Sequence, residues 1–198
     1  MLKKFIDKNA DLNTAMHEAL LSDLTVENYP KNLILLNQGE ISTNCYTVLK
    51  GCVRQYRTNE EGRETTIAFF TEEQAIVLFN SYKFQVPSDY SLICVEDSTL
   101  LVGSLESEEK LYSKYPELQL ITRNMMEINF GKEQEERALF MSLTPEERYI
   151  NLTKSRPDLM KRVPQHQLAS YLGIKPESLS RIKKRLSATS DKKPKSKT

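Results

Sequence analysis

A short stretch near the C-terminus gathers side chains suited to reading another molecule's surface: Glu177-Ser178-Leu179-Ser180-Arg181, followed at once by Lys183-Lys184-Arg185. An arginine guanidinium donates two parallel hydrogen bonds and matches the O6 and N7 acceptors of a guanine edge. A glutamate accepts from the amino group of cytosine or adenine, and a serine adds a further polar or methyl contact. Glu177, Ser180 and Arg181 are therefore the candidate base-reading residues. Lys183, Lys184 and Arg185 suit phosphates, which fix position without carrying sequence information. Ser178 is grouped with them, as are Gln165 and His166 from the segment just before. No catalytic set stands beside this one. The only histidines, His17 and His166, are far apart, and the three cysteines, Cys45, Cys52 and Cys94, lack any Cys-x-x-Cys spacing. That pattern argues against a His-rich metal site, a zinc ribbon or a disulfide scaffold. No catalytic residue, metal or cofactor is assigned, and no enzymatic activity is expected.

The reading side chains need a scaffold, and the segment Val163–Leu186 supplies one. Pro164 and Pro176 each suit a first helical turn, where the missing N–H costs nothing. Two short helices are thus expected, joined at Gly173, whose freedom at positive φ suits a tight turn. Ala169 is small where the second helix must cross closely. Leu168, Leu172, Ile174, Leu179 and Ile182 form the apolar wedge between the two. A small residue, a glycine four positions later, and apolar residues six and nine beyond it make up the helix-turn-helix pattern. The bland alternative is a helical hairpin with a solvated basic face. The polar set at the start of the second helix favours the first reading.

Upstream, the pattern changes twice. Leu12, Ala15, Met16, Ala19 and Leu20 recur at helical spacing, so a short amphipathic helix is expected over Asp11–Leu21. Beyond Pro30 come short apolar runs separated by turn residues: Leu33–Leu36, Cys45–Leu49, Cys52–Arg57, Glu64–Phe70, Ala75–Phe79, Tyr90–Val95 and Ser98–Val102. Each reads as a strand, and Asn59-Glu60-Glu61-Gly62 reads as a hairpin turn. Many short strands with regular turns predict a double-sheet β roll of jelly-roll type. From about Ser107 the helical period returns. Leu118, Ile121, Met125 and Ile128 follow the 3-4-3 spacing of a coiled-coil seam and are the candidate dimer interface. Leu120, Met126 and Phe130 of the same helix are expected to face the β domain; the seam could equally pack on that domain itself. Thr144-Pro145-Glu146-Glu147 has an N-cap, a proline at the first helical position and early acids, and starts a new helix that stops before Pro157.

The expected architecture is α+β. Residues 1–106 hold the N-terminal helix and β roll, 107–141 a long central dimerisation helix, 142–186 the helix-turn-helix, and 187–198 a basic disordered tail. Charge follows the same division. Residues 151–198 carry 13 Lys and Arg against 3 Asp and Glu, whereas 1–150 carry 15 against 24. A basic end on an acidic body is the asymmetry expected where one end meets nucleic acid. No apolar run approaches the roughly 20 residues of a membrane span. Met1–Lys8 lacks the apolar stretch of a signal peptide. A cytoplasmic protein is expected.

A β roll, a long helix and a C-terminal helix-turn-helix together resemble the Crp/Fnr superfamily of bacterial transcription regulators, over roughly residues 11–186. Glu177-Ser178-Leu179-Ser180-Arg181 looks like the Glu-x-x-Ser-Arg recognition helix of the Fnr-like branch. Leu36-Asn37-Gln38-Gly39-Glu40 and Tyr46–Arg54 look like the opening strands of a cyclic-nucleotide-binding fold. The resemblance implies a homodimer, joined through the central helix, that binds double-stranded DNA at an inverted repeat read by Glu177, Ser180 and Arg181. RNA polymerase is a possible further partner. Pro176 stands where the cAMP-receptor branch has another base-reading arginine, and no winged hairpin follows the second helix.

The resemblance also poses the question of an effector. A cyclic nucleotide's phosphate needs a cation and a close backbone approach. This chain has no Arg between Arg63 and Arg123 and no Gly between Gly62 and Gly103, and the stretch Thr71–Ser91 offers only Lys83. Control by cyclic nucleotide is therefore not expected, and the effector is unknown. The cysteines are too few and too scattered for an iron–sulphur cluster and read as small buried hydrophobes. A second functional reading stays open: a signalling adaptor whose roll binds a protein and whose basic end only grips phosphates.

Overall fold

The structure, a computed structural model, describes residues 23–190 apart from the side chains of Ile121, Met125, Thr189 and Ser190. The helix expected over Asp11–Leu21, with His17, lies outside these residues. The chain divides into two compact units, 1–138 and 139–198.

The first unit is built on eight strands: β1 (Thr25–Tyr29), β2 (Ile34–Leu36), β3 (Asn44–Lys50), β4 (Val53–Thr58), β5 (Glu64–Phe70), β6 (Ala75–Ile76), β7 (Ser91–Cys94) and β8 (Ser98–Ser104). They form two four-stranded antiparallel sheets, ordered β1-β8-β3-β6 and β2-β7-β4-β5. Side chains alternate across each strand, so every second residue turns inward. Tyr46 and Val48 pair with Val102 and Leu100 in one sheet, and Val53 pairs with Cys94 in the other. Tyr46, Val48, Val53, Ile76, Leu92, Cys94 and Leu100 then meet in one buried core shared by both sheets. The hairpin expected at Asn59–Gly62 is present, closed by the Gly62 N–H donating to the Asn59 carbonyl at 2.9 Å.

Three elements of this unit depart from the sequence reading. β1 carries little apolar signal, being Thr-Val-Glu-Asn-Tyr with mostly exposed side chains, yet it pairs along β8 as an edge strand. The run Ala75–Phe79 is not one strand. β6 stops at Ile76, and Phe79 opens a short helix, α1 (Phe79–Phe84). A short apolar run does not by itself separate strand from helix. Here the helix buries Ser81 and Tyr82, and the Ser81 hydroxyl accepts from the Ser42 N–H at 2.8 Å. The single helix expected over 107–141 is two, α2 (Leu105–Lys114) and α3 (Glu117–Ser142). Pro116 lacks an N–H and biases the residue before it away from helix, and Tyr115 sits at φ −135°, ψ 79°.

The apolar stripes of α3 are also placed differently. Leu118 is buried within the chain, whereas Ile128 is exposed; Leu120, Met126 and Phe130, expected to face the β domain, are exposed as well.

The second unit packs the end of α3 with four further helices: α4 (Pro145–Ser155), α5 (Leu159–Arg162), α6 (Gln165–Tyr171) and α7 (Pro176–Ser190). α4 begins as expected, with Thr144 and Glu147 forming a reciprocal capping box and Pro145 in the first turn. α5 was not expected; it carries Leu159, which is fully buried, and Leu152 and Val163 of the same unit are buried as well. α7 runs four residues into the stretch expected to be a disordered tail.

Gly51 shows how tightly the roll is closed. Its φ is +110°, and a Cβ built there would stand 2.7 Å from the Ser98 Cα. Both the backbone conformation and the neighbouring chain exclude a side chain. Gly51→Ala is therefore expected to cost roughly 2–4 kcal/mol of stability. The check is a urea unfolding curve with a lowered midpoint and unchanged slope; a wild-type midpoint would contradict this packing.

Candidate nucleic-acid interface

α6 and α7 are held together by the apolar wedge that the spacing indicated. Leu168, Ala169, Leu172, Leu179 and Ile182 are buried, and Ile174 is half-buried. The turn between them is a Schellman motif. The Ile174 N–H reaches back to the Ala169 carbonyl at 3.0 Å, and the Gly173 N–H reaches the Ser170 carbonyl at 3.1 Å. This closure requires a left-handed residue, and Gly173 supplies it at φ +74°. α7 then starts at Pro176 with Glu177 in its first turn.

Burial of Leu179 and Ile182 settles which side of α7 faces solvent. Glu177, Ser180, Arg181 and Lys184 fall at i, i+3, i+4 and i+7, so they share the opposite face. All four are exposed, and among the described residues their side chains hold no hydrogen-bond or ion-pair partner. Three candidate base-reading groups and one candidate phosphate group thus lie together, with their hydrogen-bonding capacity unspent. Gln165 and His166 are exposed at the start of α6, while Ser178 and Lys183 are half-buried at the sides of α7. Arg185 differs from expectation. Its guanidinium is turned to the Glu146 carboxylate of α4 in a two-bonded ion pair, so it is not a free cation on the reading face. Residues 139–190 hold 10 Lys and Arg against 4 Asp and Glu, which makes the setting of this face basic.

Sequence reasoning missed Arg148. It lies in the first turn of α4, directly after the two glutamates that mark the helix start, and nothing in its spacing singled it out. In the structure its Nε donates to the Phe140 carbonyl at 2.8 Å and its Nη1 reaches the Leu172 carbonyl at 3.4 Å. The guanidinium lies 4.3 Å from the centre of the Phe140 ring, which in turn packs against Tyr171 at 5.7 Å between ring centres.

With this geometry described, known proteins can be set beside the chain. Residues 26–115 match the family model of the cyclic nucleotide-binding domain, from β1 to the end of α2. Solved structures match over nearly the whole chain. The Catabolite Activator Protein of Thermus thermophilus is 23% identical, with a TM-score of 0.54, covering 91% of this chain and 86% of that one. The c-di-GMP responsive global regulator CLP of Xanthomonas campestris is 16% identical, with a TM-score of 0.68, covering 90% and 93%. FixK2 of Bradyrhizobium japonicum is 18% identical, with a TM-score of 0.64, covering 84% and 86%. No curated protein matches the chain by sequence. The first unit is therefore a roll of the cyclic nucleotide-binding domain type. Along its length the chain shares the fold of the Crp/Fnr regulators, as the resemblance in its sequence implied.

The roll's own polar groups are quiet by comparison. Lys83, the one cation of the stretch Thr71–Ser91, is exposed in the last turn of α1. Cys52 and Cys94 are fully buried, and Cys45 is half-buried, its thiol 3.7 Å from the Glu108 carboxylate. Burial pushes the Cys45 thiol up, with the Glu108 charge adding to it; burial likewise raises the Cys94 thiol and the Tyr82 hydroxyl beside Cys45. A raised thiol pKa leaves little thiolate at neutral pH, and the thiolate is the reactive form. The native protein is accordingly expected to react with an aromatic disulfide reagent at pH 7.5 at least about tenfold more slowly than the urea-unfolded chain. One thiol reacting at the unfolded rate would show that a cysteine is poised for redox chemistry.

Proposed function

We propose that the protein is a sequence-specific DNA-binding transcription regulator, with α6, the Gly173 turn and α7 acting as a helix-turn-helix. The observation that carries this is the exposed face of α7, where Glu177, Ser180 and Arg181 have no side-chain partner among the described residues and lie opposite the buried Leu179 and Ile182. Arg181 pairs with guanine O6 and N7, Glu177 accepts from a base amino group, and Ser180 makes a further base contact. Lys184 and Lys183 meet phosphates, with Ser178, Gln165 and His166 at the flanks. The basic character of the second unit supports the same reading, since phosphate neutralisation drives association.

The active species is a homodimer on an inverted repeat. α3 exposes Leu120, Met126, Ile128 and Phe130, apolar surface that a second copy would cover. Ile128 belongs to the seam named from the sequence, together with Ile121 and Met125. Leu118, already buried, adds nothing to it. A two-fold dimer presents two α7 helices to half-sites about one helical turn apart. RNA polymerase is the further partner of a regulator of this kind. Cyclic nucleotide is not the effector, because Thr71–Ser91 offers only the exposed Lys83 against its phosphate.

Selection from a randomised duplex pool, at two salt concentrations, tests the reading. Enrichment of a two-fold inverted repeat is expected. Arg181→Ala should lose roughly 1–3 kcal/mol at one base position per half-site, while Lys184→Ala weakens all sequences alike and lowers the salt slope by about one. If nothing is enriched and both changes act equally, the unit only grips phosphates and the adaptor reading takes its place. Cyclic AMP at millimolar concentration should leave the affinity for the selected site unchanged; a shift of tenfold or more would restore cyclic-nucleotide control.

A further inference from the structure

The structure assigns Arg148 and Glu146 a joint role: they are positioning residues that hold the reading helix α7 at two points, an assignment that rests on the DNA-reading function proposed above. The first hold is on the turn that leads into α7. The turn that leads into it, Leu172–Lys175, leaves α6 at the Leu172 carbonyl, and that carbonyl accepts from Arg148 Nη1 at 3.4 Å. The same guanidinium donates to the Phe140 carbonyl at 2.8 Å and lies on the Phe140 ring. A cation at a helix C-terminus is favourable toward its negative end. A planar guanidinium can stack on a ring and donate in two directions at once, and a lysine ammonium cannot do the same from one place. The turn itself has room for this contact. A Cβ added to Gly173 would stand 3.6 Å from Arg148 Nη1, an ordinary packing distance.

The second hold is at Arg185, nine residues along α7 from Pro176 and thirteen beyond Leu172. Glu146, two positions before Arg148 on α4, takes the guanidinium of Arg185 through both carboxylate oxygens. Nine residues of α-helix span about 13 Å. An anchor on the turn before α7 and a second one that far along the helix restrict both the direction of α7 and its rotation about its own axis. Rotation matters most, because Glu177, Ser180 and Arg181 must meet particular base edges, and a turn of a few tens of degrees moves them off register. Both anchors come from the first turn of α4, whose start is fixed by the Thr144–Glu147 capping box. Arg185, read from sequence as a phosphate contact, is thereby committed to position.

Two variants test this by what each does to specificity rather than to binding as a whole. Arg148→Lys keeps the charge and loses the stacked, two-directional contact. It is expected to lower the ratio of selected-site to random-duplex affinity by roughly tenfold, about the worth of one base contact, with the random-duplex affinity and its salt slope unchanged. Glu146→Gln removes the carboxylate of this ion pair from Arg185. It is expected to raise the salt slope by about one and the random-duplex affinity with it, while the specificity ratio falls. Exchanging the pair, Glu146→Arg with Arg185→Glu, should restore the ratio. All variants are measured well below their melting temperatures, with far-UV circular dichroism confirming wild-type helix content, so that loss of fold is not read as loss of positioning. A wild-type ratio in Arg148→Lys, or a parallel loss on selected and random DNA, overturns the role of Arg148. An unchanged ratio in Glu146→Gln, or no recovery in the exchanged pair, overturns that of Glu146. If the wild-type protein itself selects no sequence, the DNA-reading function fails first and this assignment fails with it.

Discussion

The second unit depends on one constraint above all: α6 and α7 must bury the same apolar wedge. Leu172 and Leu179 have no exposed surface, and Leu168 and Ile182 keep little. Burying side chains of this kind is worth about 1.5–3 kcal/mol each, whereas an exposed ion pair such as Glu146–Arg185 contributes about 1 kcal/mol or less. The wedge therefore decides which side of α7 points outward. Because Leu179 and Ile182 point inward, Glu177, Ser180, Arg181 and Lys184 point out. The polar contacts of α4 act on what is left, the last degrees of tilt and rotation, where hydrogen-bond geometry is demanding and apolar packing is tolerant.

The first unit rests on a comparable closure. Its two sheets share one core, and the chain passes from one sheet to the other at turns that leave no room for error, as at Gly51 against Ser98. What it presents outward is different in kind. α3 carries exposed Leu120, Met126, Ile128 and Phe130, whereas the outward side of α7 is polar and basic. Apolar exposure suits a lasting contact with a second copy, and hydrogen-bonding groups with a basic surround suit a polyanion.

Much of this was legible in the sequence, for identifiable reasons. The β roll could be read because most of its strands are short apolar runs between turn signals, and Glu64–Phe70 had both its ends placed correctly. β1 could not, since an edge strand with exposed side chains leaves no alternation to detect. The break at Tyr115–Pro116 was available in the text of the sequence, but the heptad-like spacing of Leu118, Ile121, Met125 and Ile128 outweighed it. That spacing named the stripe and could not say which of its members was spent inside the chain, as Leu118 is. The wedge and Gly173 turn were readable because several constrained positions occur together. The partners of Arg185 and Arg148 were not readable, because Glu146 and the Leu172 carbonyl are brought to them only by the tertiary fold.

The central claim is that Arg181 reads a guanine from the exposed face of α7. Methylation interference tests it most directly, because a methyl group on guanine N7 removes the acceptor that the guanidinium needs. On the selected duplex, methylation of one guanine per half-site should abolish binding by the wild-type protein and make no difference to Arg181→Ala. If no guanine in the site interferes, or if the same guanine interferes equally with both proteins, Arg181 does not make that contact, and the function drawn from this face is wrong.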